Sequence, residues 1–225
     1  MSGGYRVIYA DPPWSFATYS ARGKARSADR HYSTMGLEAI KALPVAAAAA
    51  TDSVLLLWTT DPHLEAALEV VGAWGFAFKT VGFYWIKTGA DGAPSRGMGY
   101  WTRANPEACL LGVRGAVGLE LAHDPEAADL CLLGTRGAPG RRGRGVDRLV
   151  IARRGAHSAK PIEVYRRIEE LLEGPYLELF ARATWPGWDA WGDQVAARGG
   201  VVHGGVADLE GLPAAVAEAD QGWLI

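Results

Sequence analysis

Cysteine is scarce in this chain, and the 2 present, Cys109 and Cys131, both lie in apolar runs. A disulfide framework is therefore excluded, and two buried free thiols in a reducing compartment are expected. Excess charge is scarce too. The 23 basic and 25 acidic side chains leave a formal charge of -2, so any surface for a polyanion has to be local. No apolar stretch approaches the ~20 residues that cross a bilayer. The first residues lack the basic-then-apolar pattern of a secretory signal. A cytoplasmic protein with no membrane association is the expectation. The rest of the composition is ordinary: 225 residues, 49% apolar and 21% charged, which suits one α/β domain with a substantial core. The 9 tryptophans stand out. Most such rings fill core, and some serve as stacking platforms.

The chain is organised around Asp11-Pro12-Pro13-Trp14. This stretch follows a short apolar run, residues 5–10, that reads as a buried strand. Proline fixes its own φ, has no N–H and holds the preceding residue extended. Asp11 is thus presented at the carboxyl end of a strand, where open α/β sheets bind ligands. The proline carbonyls are expected to be free acceptors, and Trp14 supplies a flat face. A carboxylate and a fixed carbonyl together accept both hydrogens of an amino group while the indole stacks on the ring that bears it. The exocyclic amine of adenine fits that set. A strand end with a proline turn is the plain alternative. Chance supplies this tetrapeptide in roughly one such chain in a thousand, which favours the functional reading.

Residues 15–32 carry Arg22, Lys24, Arg26 and Arg30 against Asp29. They read as a substrate loop or, equally well, as a solvated one. Ser33 or Thr34 is expected to cap a helix through Leu37, Ile40 and Leu43, which Pro44 breaks or restarts. Residues 54–58 are continuously apolar, the mark of a central parallel strand. Asp61 as N-cap and Pro62 as first helical residue predict a helix with Leu64, Leu68 and Val71 on its apolar face. Residues 76–87 read as another strand, and the strand–helix–strand rhythm predicts a parallel sheet. In the glycine–aromatic loop 97–103, Tyr100 and Trp101 offer faces for a base.

Pro106-Glu107-Ala108-Cys109-Leu110-Leu111-Gly112 is echoed by Pro125-Glu126-Ala127 and then Cys131-Leu132-Leu133-Gly134. Two copies are too few for a solenoid, so one copy is expected in the central sheet and the other in an added strand or excursion. Residues 136–154 hold seven arginines against one acid, Asp147, which makes this segment the candidate phosphate-binding surface. Residues 149–151 predict a short strand within it. Ser158 is expected to cap a helix with Pro161 in its first turn and Ile162, Tyr165, Ile168, Leu171 and Leu172 on its apolar face. Lys160 at that helix start opposes the dipole, and a ligand carboxylate would explain it. Residues 176–180 predict a strand. The final stretch is weakly patterned, with a short helix expected near residues 214–219.

Taken together, several segments resemble the MT-A70 family of adenine-N6 methyltransferases. They are Asp11-Pro-Pro-Trp14, His31-Tyr-Ser-Thr-Met35, Leu55-Leu-Leu-Trp58, Gly97 to Arg103 with Asn105 and Glu107, His157-Ser-Ala-Lys-Pro161, Glu178-Leu-Phe-Ala-Arg182, and Trp188 to Gln194. The resemblance implies a Rossmann-like methyltransferase fold, a mostly parallel sheet with helices on both faces. Its order is permuted, with the catalytic motif first and the cofactor strand late. It implies S-adenosylmethionine as cofactor and nucleic acid as partner, with DNA favoured over RNA. Asp11, Pro12, Pro13 and Trp14 would be catalytic. Asp11, Lys160, Glu178, Leu179, Phe180, Arg182, Asp193 and Gln194 would hold the cofactor. Tyr32, Tyr100, Trp101 and Arg103, with Arg141, Arg142 and Arg144, would meet the substrate, and no metal is required.

Two departures matter: asparagine often stands where this chain has Asp193, and the duplicated segment has no counterpart in the family. The domain expected is 1–195, with an inserted segment about 115–147 and an extension over 196–225. A homodimer or a pairing with a related methyltransferase is compatible with the resemblance. The competing reading is a catalytically silent, nucleic-acid-binding partner of such an enzyme. Retention of Asp11, Trp14 and Lys160 weighs against it.

Overall fold

The computed structural model describes residues 4–15, 34–94, 106–114, 141–153, 155, 159–192 and 195. Expectations for the loops at 16–33 and 97–103, for the second repeat copy and for residues 196–225 lie outside these residues.

Tyr5–Ala10 forms β1, which sits in the middle of the sheet. Successive side chains alternate between the faces, so Ile8 and Ala10 enter one core while Val7 and Tyr9 enter the other. Burial on both faces is what the unbroken apolar stretch Val7–Ala10 demands. On one side β1 pairs in parallel with β2, Ala49–Thr59, placing Ala10 opposite Leu57. On the other it pairs in parallel with β6, Tyr176–Leu179, placing Ala10 opposite Leu179. Beyond β6 lies β7, Trp188–Trp191.

The far half of the sheet holds β3, Ala77–Thr88, β4, Pro106–Arg114, and β5, Leu149–Arg153, in the overall order β5-β3-β4-β2-β1-β6-β7. Strand β4 is antiparallel to both neighbours, β2 and β3, and β5 is parallel to β3. The sheet is therefore mostly parallel, as expected, with β4 reversed. A continuous apolar run looks the same in either direction, so periodicity could not show that reversal. The reversal has a positional effect. The amino end of β4 lies at the edge of the sheet where the neighbouring strands have their carboxyl ends. The first repeat copy, around Cys109, is this central strand.

Helices cover both faces. On one, α1 (Leu37–Lys41), α2 (Val45–Ala48) and α3 (Leu64–Ala73) contribute Ile40, Val45, Ala67, Val70 and Val71 to a core with Ile8, Leu55 and Leu57. On the other, α4 (Ile162–Leu171) sets Val164 and Ile168 among Val7, Tyr9, Leu56, Trp58 and Trp85. Among the described residues no helix is long and apolar enough to cross a membrane.

Local chemistry at the helix starts differs from expectation. Gly36, not Thr34 or Ser33, precedes α1, and no side chain caps it. Asp61, Pro62 and His63 form a 3₁₀ turn with Thr60 before it, and α3 starts only at Leu64. Ala67, Val70 and Val71 are buried, whereas Leu64 and Leu68 are 44% and 38% exposed. Pro161 rather than Ser158 precedes α4.

Candidate active site

Asp11 leaves β1 at the carboxyl edge of the sheet, between the ends of β2 and β6. The prolines then fold the chain back. The Trp14 N–H donates to Pro12 O at 2.9 Å, and the Met35 N–H donates to Pro13 O at 2.9 Å. Both carbonyls thus already accept one hydrogen bond, contrary to the expectation that they are free. Each keeps one lone pair for a ligand. Trp14 is only 6% exposed. Its indole N–H donates to Trp58 O at 3.1 Å, and its ring stacks on His63 with centroids 5.6 Å apart and planes at 19°. The imidazole is itself held at both nitrogens, by Thr60 Oγ1 and by Ser15 O, each at 2.9 Å. A carbonyl only accepts, so Nε2 carries the hydrogen toward Ser15. The turn is therefore clamped by the last residue of the 3₁₀ segment.

Lys160 reaches into the same edge. Its Nζ lies 2.9 Å from Asp11 Oδ2, and its side chain is 7% exposed. The ammonium also sits over the Trp58 ring at 5.0 Å and the Trp85 ring at 6.0 Å from the centroids. Such faces attract cations, the more so away from water. Lys160 stands ahead of Pro161 and outside the first turn of α4, so the dipole conflict expected from the sequence does not arise. Its charge is balanced by Asp11 instead.

Glu178, on β6, faces the α4 side of the sheet and is buried. Tyr165 on α4 donates its hydroxyl hydrogen to Glu178 Oε1 at 2.8 Å. Burial raises the carboxyl to about 7; the Tyr165 bond opposes the rise, Asp11 adds to it, and Arg182 and Lys160 oppose it. Burial and then the Glu178 carboxylate push the Tyr165 phenol upward. Directly after β6, Phe180 takes a left-handed backbone with φ 62°, and its ring meets Trp191 edge-on at 5.6 Å. A bulky residue in that region is strained, and such strain gathers at ligand sites.

The structure thus gathers Asp11, Pro12, Pro13, Trp14, Lys160, Glu178, Phe180 and Arg182 around the carboxyl ends of β1 and β6. Leu179 is different. Its side chain is 1% exposed in the core under α1 to α3, which leaves its backbone to line the cleft. The arginines lie elsewhere. Arg141 bridges to Leu172, and the Arg142 N–H donates to Leu171 O at 3.0 Å. Both sit at the carboxyl end of α4, about 15 Å of helix away from Lys160. Arg141, Arg142 and Arg144 are exposed. Tyr32, Tyr100, Trp101, Arg103, Asp193 and Gln194 lie outside the described residues. His63, Tyr165 and Trp85 belong to the site and were not singled out from the sequence. Tyr165 was read as an ordinary core position, and its pattern gave no other signal. His63 stands three residues after Thr60, a spacing that lets two side chains meet across one 3₁₀ turn.

The donor set suits a zwitterionic ligand that also carries hydroxyls. A nearly buried ammonium can take a carboxylate, and a buried carboxylate oxygen without a hydrogen bond among the described residues, Glu178 Oε2, can take a hydroxyl. Among those residues no group of side chains could hold a metal ion.

The MT-A70 family model matches residues 5–194. The type II methyltransferase M.MunI of Mycoplasma sp is 30% identical over 208 residues, covering 85% of this chain and 78% of that protein. An N(6)-adenosine-methyltransferase MT-A70-like protein of Arabidopsis thaliana is 27% identical over 199 residues, 86% of this chain but 24% of its own length. The N(6)-adenine-specific methyltransferase METTL4 of Mus musculus is 28% identical over 211 residues, 85% of this chain and 37% of its own length.

Proposed function

This chain belongs to the MT-A70 family, and we propose that it moves a methyl group from S-adenosylmethionine to the exocyclic N6 amine of adenine in nucleic acid. DNA is the favoured substrate, supported by 30% identity to the type II methyltransferase against 27% to the adenosine enzyme. The observation that carries the reading is Asp11, held at the carboxyl end of β1 within 2.9 Å of Lys160.

S-adenosylmethionine supplies an electrophilic methyl on a sulfonium. The chain's own work is positioning and electrostatics. Asp11 accepts a hydrogen from the target amine, and the remaining lone pair of Pro12 O accepts the other. The nitrogen lone pair would thereby be drawn out of the ring toward the methyl; the methyl–sulfur bond breaks, its electron pair stays on sulfur as a neutral thioether, and the amine's surplus proton passes through the Asp11 hydrogen bond to solvent. Trp14, fixed by Trp58 O and His63, keeps the turn from yielding. Lys160 would hold the cofactor's carboxylate while its ammonium stays 2.9 Å from Asp11. On a duplex the adenine must be flipped out, as other base-modifying enzymes require.

The test is incubation with labelled S-adenosylmethionine and separate DNA and RNA pools, followed by nucleoside analysis. Label in N6-methyladenine of DNA is expected. Label confined to RNA would overturn the DNA preference, and label in neither pool would overturn the activity.

A further inference from the structure

Among the described residues, Glu178 Oε2 is the buried side-chain atom that finds no hydrogen-bond partner. Its sister oxygen is occupied by the Tyr165 hydroxyl at 2.8 Å. Tyr165 cannot easily swing away. Its ring lies 5.3 Å from each of the rings of Tyr9, Trp185 and Trp188. Trp185 and Trp188 are fixed in turn, both donating indole hydrogens to Glu169 Oε1, at 3.0 and 2.8 Å. The carboxylate is therefore aimed by a rigid aromatic cage, and the aim leaves one oxygen for something else. Buried acceptors are rarely left without a donor, and the exceptions mark function.

We infer that Tyr165 is a positioning residue of the cofactor cleft: it saturates Oε1 of Glu178, leaves Oε2 for a hydroxyl of S-adenosylmethionine, and makes cofactor binding expel a proton from Glu178. The inference rests on the reading that this chain uses S-adenosylmethionine. Its physical logic is linkage. A hydroxyl donor prefers the ionised acid, so a carboxyl that is partly protonated before binding loses its proton on binding. The carboxyl titrates at about 7, raised chiefly by burial. The charged groups acting on it are Asp11 after β1, Lys160 ahead of α4 and Arg182 after β6, while Tyr165 faces it from α4. The phenol's own value is pushed up, so it stays a donor throughout the neutral range. Because the Tyr165 bond lowers the Glu178 value, removing the hydroxyl alone should move the titration to higher pH.

The experiment is calorimetric titration of S-adenosylmethionine and S-adenosylhomocysteine into parent protein and Tyr165→Phe from pH 6 to 9. Parent affinity should fall about tenfold for each pH unit below the Glu178 midpoint. The variant should show the same limb displaced to higher pH, binding several-fold more weakly at pH 7 and regaining parent affinity near pH 9. Titration of the ligand's own amine is common to both proteins and cancels in the comparison. Glu178→Gln should lack the Glu178 limb altogether, which keeps the test open should Tyr165→Phe fail to fold. Superimposable parent and variant curves, or a loss that is the same at every pH, would overturn the positioning role. A parent that binds neither ligand at any pH would overturn the proposed cofactor use, and the inference with it.

Discussion

Lys160 and Asp11 form an ion pair, Nζ to Oδ2 2.9 Å, although one directly follows the first strand of the chain and the other stands just ahead of α4. The residue expected to hold the cofactor is thus paired with the residue expected to hold the amine. Lys160→Ala removes both the cofactor contact and the counter-charge of a partly buried carboxylate. Cofactor affinity should drop by ~1.5–3 kcal/mol, the usual worth of a hydrogen bond to a charged group. Calorimetry that finds unchanged affinity would remove Lys160 from the cofactor site.

Asp11→Ala should abolish methyl transfer and leave the fold intact, because the carboxylate faces the cleft rather than either core. Activity assays and a thermal melt on the same preparation decide this. A folded variant with near-parent turnover would contradict the assignment of Asp11 as acceptor.

Arg141, Arg142 and Arg144 present two physical readings. They lie near the carboxyl end of α4, where cations offset the helix dipole, and they are exposed enough to reach phosphates. If they bind phosphates, replacing all three by alanine weakens binding to every sequence about equally. It also lowers the slope of log affinity against log salt by up to ~3 units, with cofactor affinity unchanged. If they serve only the helix end, the variant melts earlier and the two salt lines run parallel. The phosphate role is expected.

Glu178 makes the stability of the ligand-free protein fall as pH rises from 4.5 to about 7. Its folded value is about 7 against an ordinary 4.5. A raised value favours the folded state fully below the ordinary one, and that advantage is lost as pH climbs toward 7. The size is on the order of 3 kcal/mol. Glu178→Gln cannot ionise and should lack this dependence. Urea unfolding at pH 5 and pH 7.5 provides the check. Parallel pH trends for parent and variant would show that Glu178 is not the group responsible.

His63→Ala should cost stability of about 1–2 kcal/mol through its two hydrogen bonds, and should lower turnover more than cofactor affinity. The imidazole clamps Ser15 and Trp14, on the substrate side of Asp11. Unchanged melting together with unchanged turnover would show that the Trp14 turn holds without it.

The central strands were legible because their signals are local. Val7–Ala10 of β1 and Val54–Trp58 of β2 are apolar without a break, β6 sets Glu178 between two leucines, and the proline pair marks the end of β1 unambiguously. Asp11, Lys160 and Glu178 were each singled out from the sequence. That Asp11 and Lys160 touch was not, since no periodicity encodes contact between residues so far apart in the chain. The direction of β4 was hidden for the reason that an apolar run has no arrow. On α3 the expected apolar face held only at Val71, because small Ala67 packs as closely as Val70 and Trp74 while Leu64 and Leu68 flank that face toward solvent. The arginines drew attention as a dense cluster. Composition could not reveal that backbone bonds to Leu171 and Leu172 hold part of that cluster at the far end of α4.

The pairing of β1 with β6 has a kinetic consequence. Ala10 finds its partner Leu179 only across nearly the whole sheet-forming chain. Contacts of such separation carry the largest loop-closure cost and form late. During synthesis the Asp11 turn emerges first, yet one edge of β1 stays unpaired until β6 has left the ribosome. The cleft is therefore completed near the end of folding, and a chain released before residue 176 would carry an apolar, open-edged β1 prone to self-association.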